Sequence, residues 1–335
     1  MTTRAIRTLL LPLVSLLISE MAVAAEYPQN PLRLDDSIYV SHQGVYRFDS
    51  TTGDPLWSSL EGIETFAPVA HEDLLLVGST QGLYALNRAD GKIAWRIEKQ
   101  HSLFTPSIAG LAYAGSVHGE LYAIAPDDGS IEWRRTFDGW VYSPAINADA
   151  ALLWTGGQAH AVYALSSHDG ELLQEIPTSQ ETVFGAVDLG REQVAFNLFD
   201  GSTVIVDSSS RQITATLPGD LQPTGIGHQG GVIFRSHSDG SLVTFTRDDM
   251  AVEWQRRMTP GNLRIHPSLP GHLLLGDGDR KLILFDLAAK TVLCELDAQG
   301  QRLLPMQLDT NKIIYFRKSM QPTGLKLVKS PAICI

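Results

Sequence analysis

Gly82-Leu83-Tyr84-Ala85-Leu86-Asn87, followed by Asp90-Gly91 and then Trp95, is the stretch that decides the fold, because the chain repeats it on both sides. Gly44-Val45-Tyr46-Arg47-Phe48-Asp49 runs through Thr52-Gly53 to Trp57, and Glu120-Leu121-Tyr122-Ala123-Ile124 runs through Asp128-Gly129 to Trp133. Trp57, Trp95 and Trp133 therefore stand 38 residues apart. A fixed period of this length marks one small unit laid down repeatedly, so the fold is an array of that unit. Extending the template puts the tryptophan slot at Gln174, Ala215, Trp254 and Cys294, and a last one at Pro331-Ala332-Ile333-Cys334-Ile335. Pro31-Leu32-Arg33-Leu34 falls where the first strand of the first unit belongs, which makes eight units.

Inside a unit, short apolar runs alternate with turn residues. In the third they are Pro106-Ser107-Ile108-Ala109, then 111–115, 120–125 and 131–136. Runs this short, rich in β-branched and aromatic residues and bounded by Gly and Asp, read as strands. Asp-Gly between the last two supplies the positive φ that a tight hairpin needs. A lone four-stranded sheet leaves apolar faces uncovered, whereas sheets set radially around an axis cover one another. The expected fold is all-β, an eight-bladed β-propeller of four-stranded antiparallel blades occupying 26–335 as one domain. Trp57, Trp95, Trp133 and Trp254 are expected on outer strands, docking each blade on the next.

The first 25 residues read as a secretory leader. Arg4 and Arg7 precede an apolar run over 9–18 that ends in Ala22-Val23-Ala24-Ala25, with cleavage expected after Ala24 or Ala25. Pro12 interrupts that run, and its length falls short of the roughly 20 residues a membrane-spanning helix needs. No cysteine follows the cleavage site to accept a lipid, so a periplasmic protein without membrane insertion is expected. Cys294 and Cys334 are the chain's two cysteines, and both a bridge between them and two thiols packed as small hydrophobes are open readings. The net charge is −11, which repels phosphate backbones and anionic lipid headgroups and argues against nucleic acid as a partner.

The phrase Leu-Tyr-Ala-Leu-x-x-x-x-Gly-x-x-x-Trp, as in residues 83–95, resembles the repeat of the pyrroloquinoline-quinone-type β-propellers. That superfamily holds the quinoprotein alcohol dehydrogenases and the non-catalytic outer-membrane assembly factors of the BamB type, the latter being nearer in architecture. The resemblance implies a propeller and, on the BamB side, a non-catalytic scaffold binding partner proteins of the cell envelope as a monomer. Two alternatives stand beside it: an accessory or ligand-binding subunit of a periplasmic dehydrogenase system, and a vestigial quinoprotein. Repeat architecture by itself does not choose among them.

The residues argue against an enzyme. A quinoprotein needs a calcium ion held by oxygen donors and a carboxylate base beside a flat cofactor. The chain after the leader is almost all blade, has no insertion able to roof such a pocket, and lacks the adjacent cysteine pair common in that class. No His-Glu-x-x-His or Cys-x-x-Cys spacing marks a metal site. No catalytic residue, cofactor or metal is therefore expected. Gly276-Asp277-Gly278-Asp279 reads as a hairpin turn, and His118, His160 and His237 as exposed turn histidines. One feature is uneven around the ring. Phe66, Phe104, Tyr142 and Phe184 sit in the segments that lead from one unit into the next, with Trp140 close by, so half of one channel rim is expected to be aromatic. These five residues are the candidate partner-binding rim, since rigid aromatic area is what protein docking uses.

Overall fold

The structure is a computed structural model that describes residues 29–329, apart from 148–150, 230, 262, 270, 277–280, 298–301, 310–311 and 319–324. The expected leader and Cys334 lie outside the described residues. Every regular element among those described is a β-strand, and each sheet is antiparallel between chain neighbours, which is the β-propeller pattern. Six blades carry four separate strands. They span residues 69–98, 107–136, 145–177, 182–217, 223–257 and 264–297, and are called blades 1 to 6.

The expectation of eight four-stranded blades is corrected to seven, because the sheet at the C-terminal end has three strands among the described residues. The N-terminal sheet consists of Gln29–Leu34, Ser37–Asp49 and Pro55–Glu64. Ser37–Asp49 folds back on itself, with Ser50 N donating to Asp36 O (2.8 Å) and Arg47 Nε to Ser37 Oγ (2.9 Å), and so supplies both middle strands of the seventh four-stranded blade. The C-terminal sheet consists of Arg302–Asp309, Lys312–Lys318 and Leu325–Lys329. The slot at 331–335, where a fourth strand was expected, lies outside the described residues. Gln29–Leu34 and Arg302–Asp309 lie against each other, so the two end sheets are neighbours.

Burial follows strand position within a blade. In blade 1 the two middle strands, Leu74–Ser79 and Gly82–Asn87, are buried almost throughout, and the outer strand Ile93–Glu98 alternates between exposed and half-buried. Middle strands covered on both faces read as unbroken apolar runs, and an outer strand reads as an alternation. The core lies between blades. One cluster joins Leu76, Leu83 and Ala85 of blade 1 to Ala112, Ala114, Tyr122 and Ile124 of blade 2, with Trp95 and Ile97 against it.

The first three seams between neighbours are fastened twice. On the first fastening, the indole of one sheet donates to a turn carbonyl of the next: Trp57 Nε1 to Arg88 O (3.0 Å), Trp95 Nε1 to Pro126 O (2.8 Å) and Trp133 Nε1 to Ser167 O (3.0 Å). The same rings press on the glycine of that turn. A Cβ at Gly91, Gly129 or Gly170 would stand 2.6–2.7 Å from the ring of Trp57, Trp95 or Trp133, and all three glycines have φ between 71° and 77°. Glycine is required there both for the left-handed backbone and for the ring's approach. Trp254 instead faces Phe285 at 5.1 Å, and its partner turn uses Lys290 at φ 56°.

On the second fastening, the segment leading into each blade donates one amide back to the previous sheet. The bonds are Thr65 N to His42 O (2.9 Å), Leu103 N to Ser79 O, Val141 N to Ser116 O and Thr182 N to Gly157 O (each 3.0 Å), and Leu263 N to His237 O (3.4 Å). Between blades 4 and 5 this position is Pro223, which has no N–H to give. There the seam is bridged by Arg235, 3% exposed, whose guanidinium donates to Thr203 Oγ1 (3.1 Å), Leu217 O (3.5 Å) and Pro218 O (2.6 Å) and stacks over Phe245.

Cys294 is disulfide-bonded, which agrees with the bridged reading. Trp95→Ala is expected to lower the unfolding free energy by about 3 kcal/mol, measured by chemical denaturation, with the far-ultraviolet signature of the native protein retained.

Candidate functional site

Antiparallel blades fix two faces. The segments leading into blades share one face with the hairpins between second and third strands, and the turns gripped by the tryptophans lie on the opposite face. Phe66, Phe104 and Tyr142 occupy equivalent places on the first face, each donating its amide to the second strand of its own blade: to Gly78 O (2.8 Å), Gly115 O (2.9 Å) and Gly156 O (3.0 Å). Their rings form a continuous row. Phe66 and Phe104 have centroids 5.9 Å apart, and Phe104 and Tyr142 5.2 Å apart. Tilted pairs at these distances are favourable beyond the area they bury, by roughly 0.5–1.5 kcal/mol each.

The row is held rigidly by its own polar neighbours. Thr105 Oγ1 donates to Ala67 O (3.0 Å), Ser107 Oγ to Pro144 O (2.5 Å), Ser143 Oγ accepts from Gly115 N (3.1 Å), and Thr155 Oγ1 donates to Tyr142 O (2.6 Å). Each lead-in segment is thereby tied to the next. Burial pushes the Tyr142 hydroxyl up to about 12, offset in part by its hydrogen bond with the Phe184 backbone.

Phe184 stands beside the row, its backbone hydrogen-bonded to the Tyr142 hydroxyl. In blade 4 the residue matching Tyr142 is Val183, paired with Asn197, and Phe184 falls in the bulge that follows, where pairing breaks between Val183 and Val187. Its φ is 65° and its side chain is 50% exposed. An aromatic residue in the left-handed region is uncommon and costs on the order of 1–3 kcal/mol. Trp140, two residues before Tyr142, is half-buried, and its amide donates to Gln158 Oε1 at 3.1 Å. Past blade 4 the row ends: the matching residue in blade 5 is Thr224, bonded to Ser236 Oγ (2.9 Å) and Leu263 O (2.6 Å).

The turn histidines divide. His118 and His160 are exposed, but His237 is 4% exposed, with Nδ1 3.0 Å from Ser241 Oγ, which corrects its reading as a surface residue. Burial first, then the nearby Arg235 charge, lowers its pKa to about 4. Gly276 ends a strand, and the rest of Gly276-Asp277-Gly278-Asp279 lies outside the described residues.

Three further groupings were not legible in the chain. His101 and His118 stack face to face. His71, Glu72 and Asp127 bring one donor atom each within 4.8 Å on the turn face, with His71 Nε2 3.0 Å from Asp127 Oδ1, an arrangement able to hold a divalent cation. A depression between blades 4 and 5 is lined by Arg191, Val232, Thr246, Arg247, Asp248 and Glu253. Its cations are already committed, Arg247 to Leu189 O, Gly190 O and Gln193 Oε1, and Arg191 to Asp248 at 3.9 Å. A flat quinone cofactor with an oxygen-ligated calcium has no fit in that set.

The chain matches the family described as outer membrane protein assembly factor BamB over residues 19–97 and 98–220, and it belongs to that family. Among solved structures, it is similar to the computationally designed Ika8 protein, with 12% identity, 91% of this chain and 97% of that one covered, and a TM-score of 0.77. It is also similar to BamB from Moraxella catarrhalis, with 14% identity, 90% and 96% coverage, and a TM-score of 0.70. At these identities the two structures support the fold alone. No curated protein sequence matches the chain at a significant level.

A histidine held below its ordinary pKa is neutral in the fold and takes up its proton more readily when unfolded. Its contribution is complete above the ordinary imidazole range and is lost as pH falls toward about 4. His237→Asn is therefore expected to flatten the loss of stability between pH 6.5 and 4, removing up to about 3 kcal/mol of pH dependence, measured by denaturation at a series of pH values.

Proposed function

We propose that this protein is a non-catalytic scaffold of the cell envelope that presents the aromatic row Phe66, Phe104, Tyr142 and Phe184, flanked by Trp140, to a partner protein. The observation that carries the reading is Phe184. A phenyl ring half in solvent, on a backbone conformation that costs energy, does nothing for the fold that a small polar residue would not do better. It stands beside a row of three rings whose backbone is tied segment to segment, so the surface is formed before any partner arrives. Such preorganisation reduces the ordering cost of binding.

Family membership supports the scaffold role and an envelope location, and the basic, apolar and small-residue order of the first 25 residues supports export to the periplasm. The net charge of −11 supports a protein partner over nucleic acid. In this reading the protein acts as a monomer and the four repeat tryptophans serve the seams.

Two measurements test it. Tagged protein with Phe104, Tyr142 and Phe184 all replaced by Ser is expected to lose the envelope proteins that the native chain captures after cross-linking, with its Tm lowered by only a few degrees. Retained capture, or a collapse in stability, would assign the rings to packing. Pyrroloquinoline quinone with calcium is expected to leave Tm unchanged, whereas a rise of several degrees at micromolar cofactor would contradict the non-catalytic reading.

A further inference from the structure

His101 lies in the segment that leads from blade 1 into blade 2, and His118 lies in the hairpin of blade 2 that this segment crosses. Their imidazoles are stacked, with centroids 4.1 Å apart and planes 13° from parallel. His101 is covered, its side chain 12% exposed, and His118 is exposed above it. His101 Nε2 is buried without a hydrogen-bond partner and stands 3.6 Å from Glu120 Oε2.

The groups around the pair are few and already engaged. Glu120, at the start of the third strand of blade 2, accepts from the Tyr122 hydroxyl and from Arg134 Nη1 on the outer strand (3.1 Å). Lys99, at the end of blade 1, lies over the Tyr122 ring at 5.2 Å. The pocket thus holds two cations, one carboxylate and two imidazoles. A proton on His101 would sit 4.1 Å beneath the parallel ring of His118 and near Lys99, with only Glu120 to offset it.

We propose that the His101–His118 stack is a pH-sensitive latch, which holds the lead-in segment 100–104 on the blade 2 hairpin at neutral pH and releases it on acidification. Besides the stack, that crossing is held by Val117 N to Ser102 O at 3.3 Å and Phe104 N to Gly115 O at 2.9 Å. Burial first, then His118 and Lys99, hold His101 below the ordinary histidine range, with Glu120 opposing. The sign follows: the folded segment resists a proton that the released segment accepts, so closure is complete above the ordinary range and weakens as pH falls below it. Two coupled imidazoles titrate in two steps that belong to the pair.

Phe104 ends this segment, so release would also unseat the second ring of the aromatic row. That consequence rests on the partner reading, and the latch itself does not. Hydrogen exchange of the full chain at pH 7.5 and 5.0, corrected for the intrinsic pH dependence of exchange, reads the latch directly and needs no partner. The amides of Phe104 and Val117 in the native protein are expected to exchange at least several-fold faster, after correction, at pH 5.0. His118→Phe keeps a flat ring over His101 but cannot titrate, and is expected to hold both amides protected at both pH values. Equal protection of the native protein at the two pH values, or opening of His118→Phe to the same extent as native, would overturn the proposal. Should the variant fail to fold, imidazole resonances of the native protein decide: two coupled steps support the latch, and two independent single-step curves refute it.

Discussion

The structure depends on one contact, repeated from sheet to sheet: an indole seated on the turn of its neighbour. No blade buries its own faces, so each must present something the next can receive. The ring of Trp57, Trp95 or Trp133 needs a turn with no side chain at one position, and that position also needs a positive φ. Glycine meets both demands. Where the indole is absent, the positive φ survives without the glycine. The turns facing Gln174 and Ala215 place Arg211 at φ 53° and Met250 at φ 56°. Trp254, whose partner turn carries Lys290 at φ 56°, shows that the glycine accompanies only the indoles of Trp57, Trp95 and Trp133, which press on the turn and donate to its carbonyl.

This coupling explains how much of the fold could be read from the chain. Tryptophan and Asp-Gly recur together because the ring of Trp57 touches Gly91 and that of Trp95 touches Gly129, so their shared period carried the blade architecture, the strand order and the burial of the middle strands. The blade count failed at the C-terminal end, where the last sheet has three strands among the described residues. Phe66, Phe104 and Tyr142 were legible as a rim because each stands two residues before a proline. Phe184 has no such proline and sits one place further along, in a bulge that no spacing announces. His237 looked like its neighbours in other hairpins, yet burial beside Arg235 removes it from solvent. Arg235 and the His101–His118 stack depend on which side chains meet across strands, and period alone does not encode that.

The same constraint frames the function. Seams fastened on one face by indoles and on the other by backbone amides tie the lead-in segments to their neighbours, which under the proposed scaffold role would present the aromatic row already formed. The exception between blades 4 and 5 is informative. Pro223 deletes the amide, and a buried guanidinium takes over its bridging, at the edge where the row gives way to Thr224. Burial lowers the Arg235 pKa to about 10, so its charge persists at neutral pH and is met by carbonyl and hydroxyl oxygens. Asymmetry in an otherwise repetitive ring is thus localised on one face, where a partner would need a single orientation.

The central claim is that turn glycine and indole form one energetic unit, and a double-mutant cycle on Trp95 and Gly129 measures it most directly. Gly129→Ala brings a methyl into the Trp95 ring and also strains a left-handed backbone, whereas in a Trp95→Ala background only the backbone cost remains. The account predicts that Gly129→Ala is less damaging in that background by more than about 1 kcal/mol. Additive effects, with a coupling near zero, would contradict it.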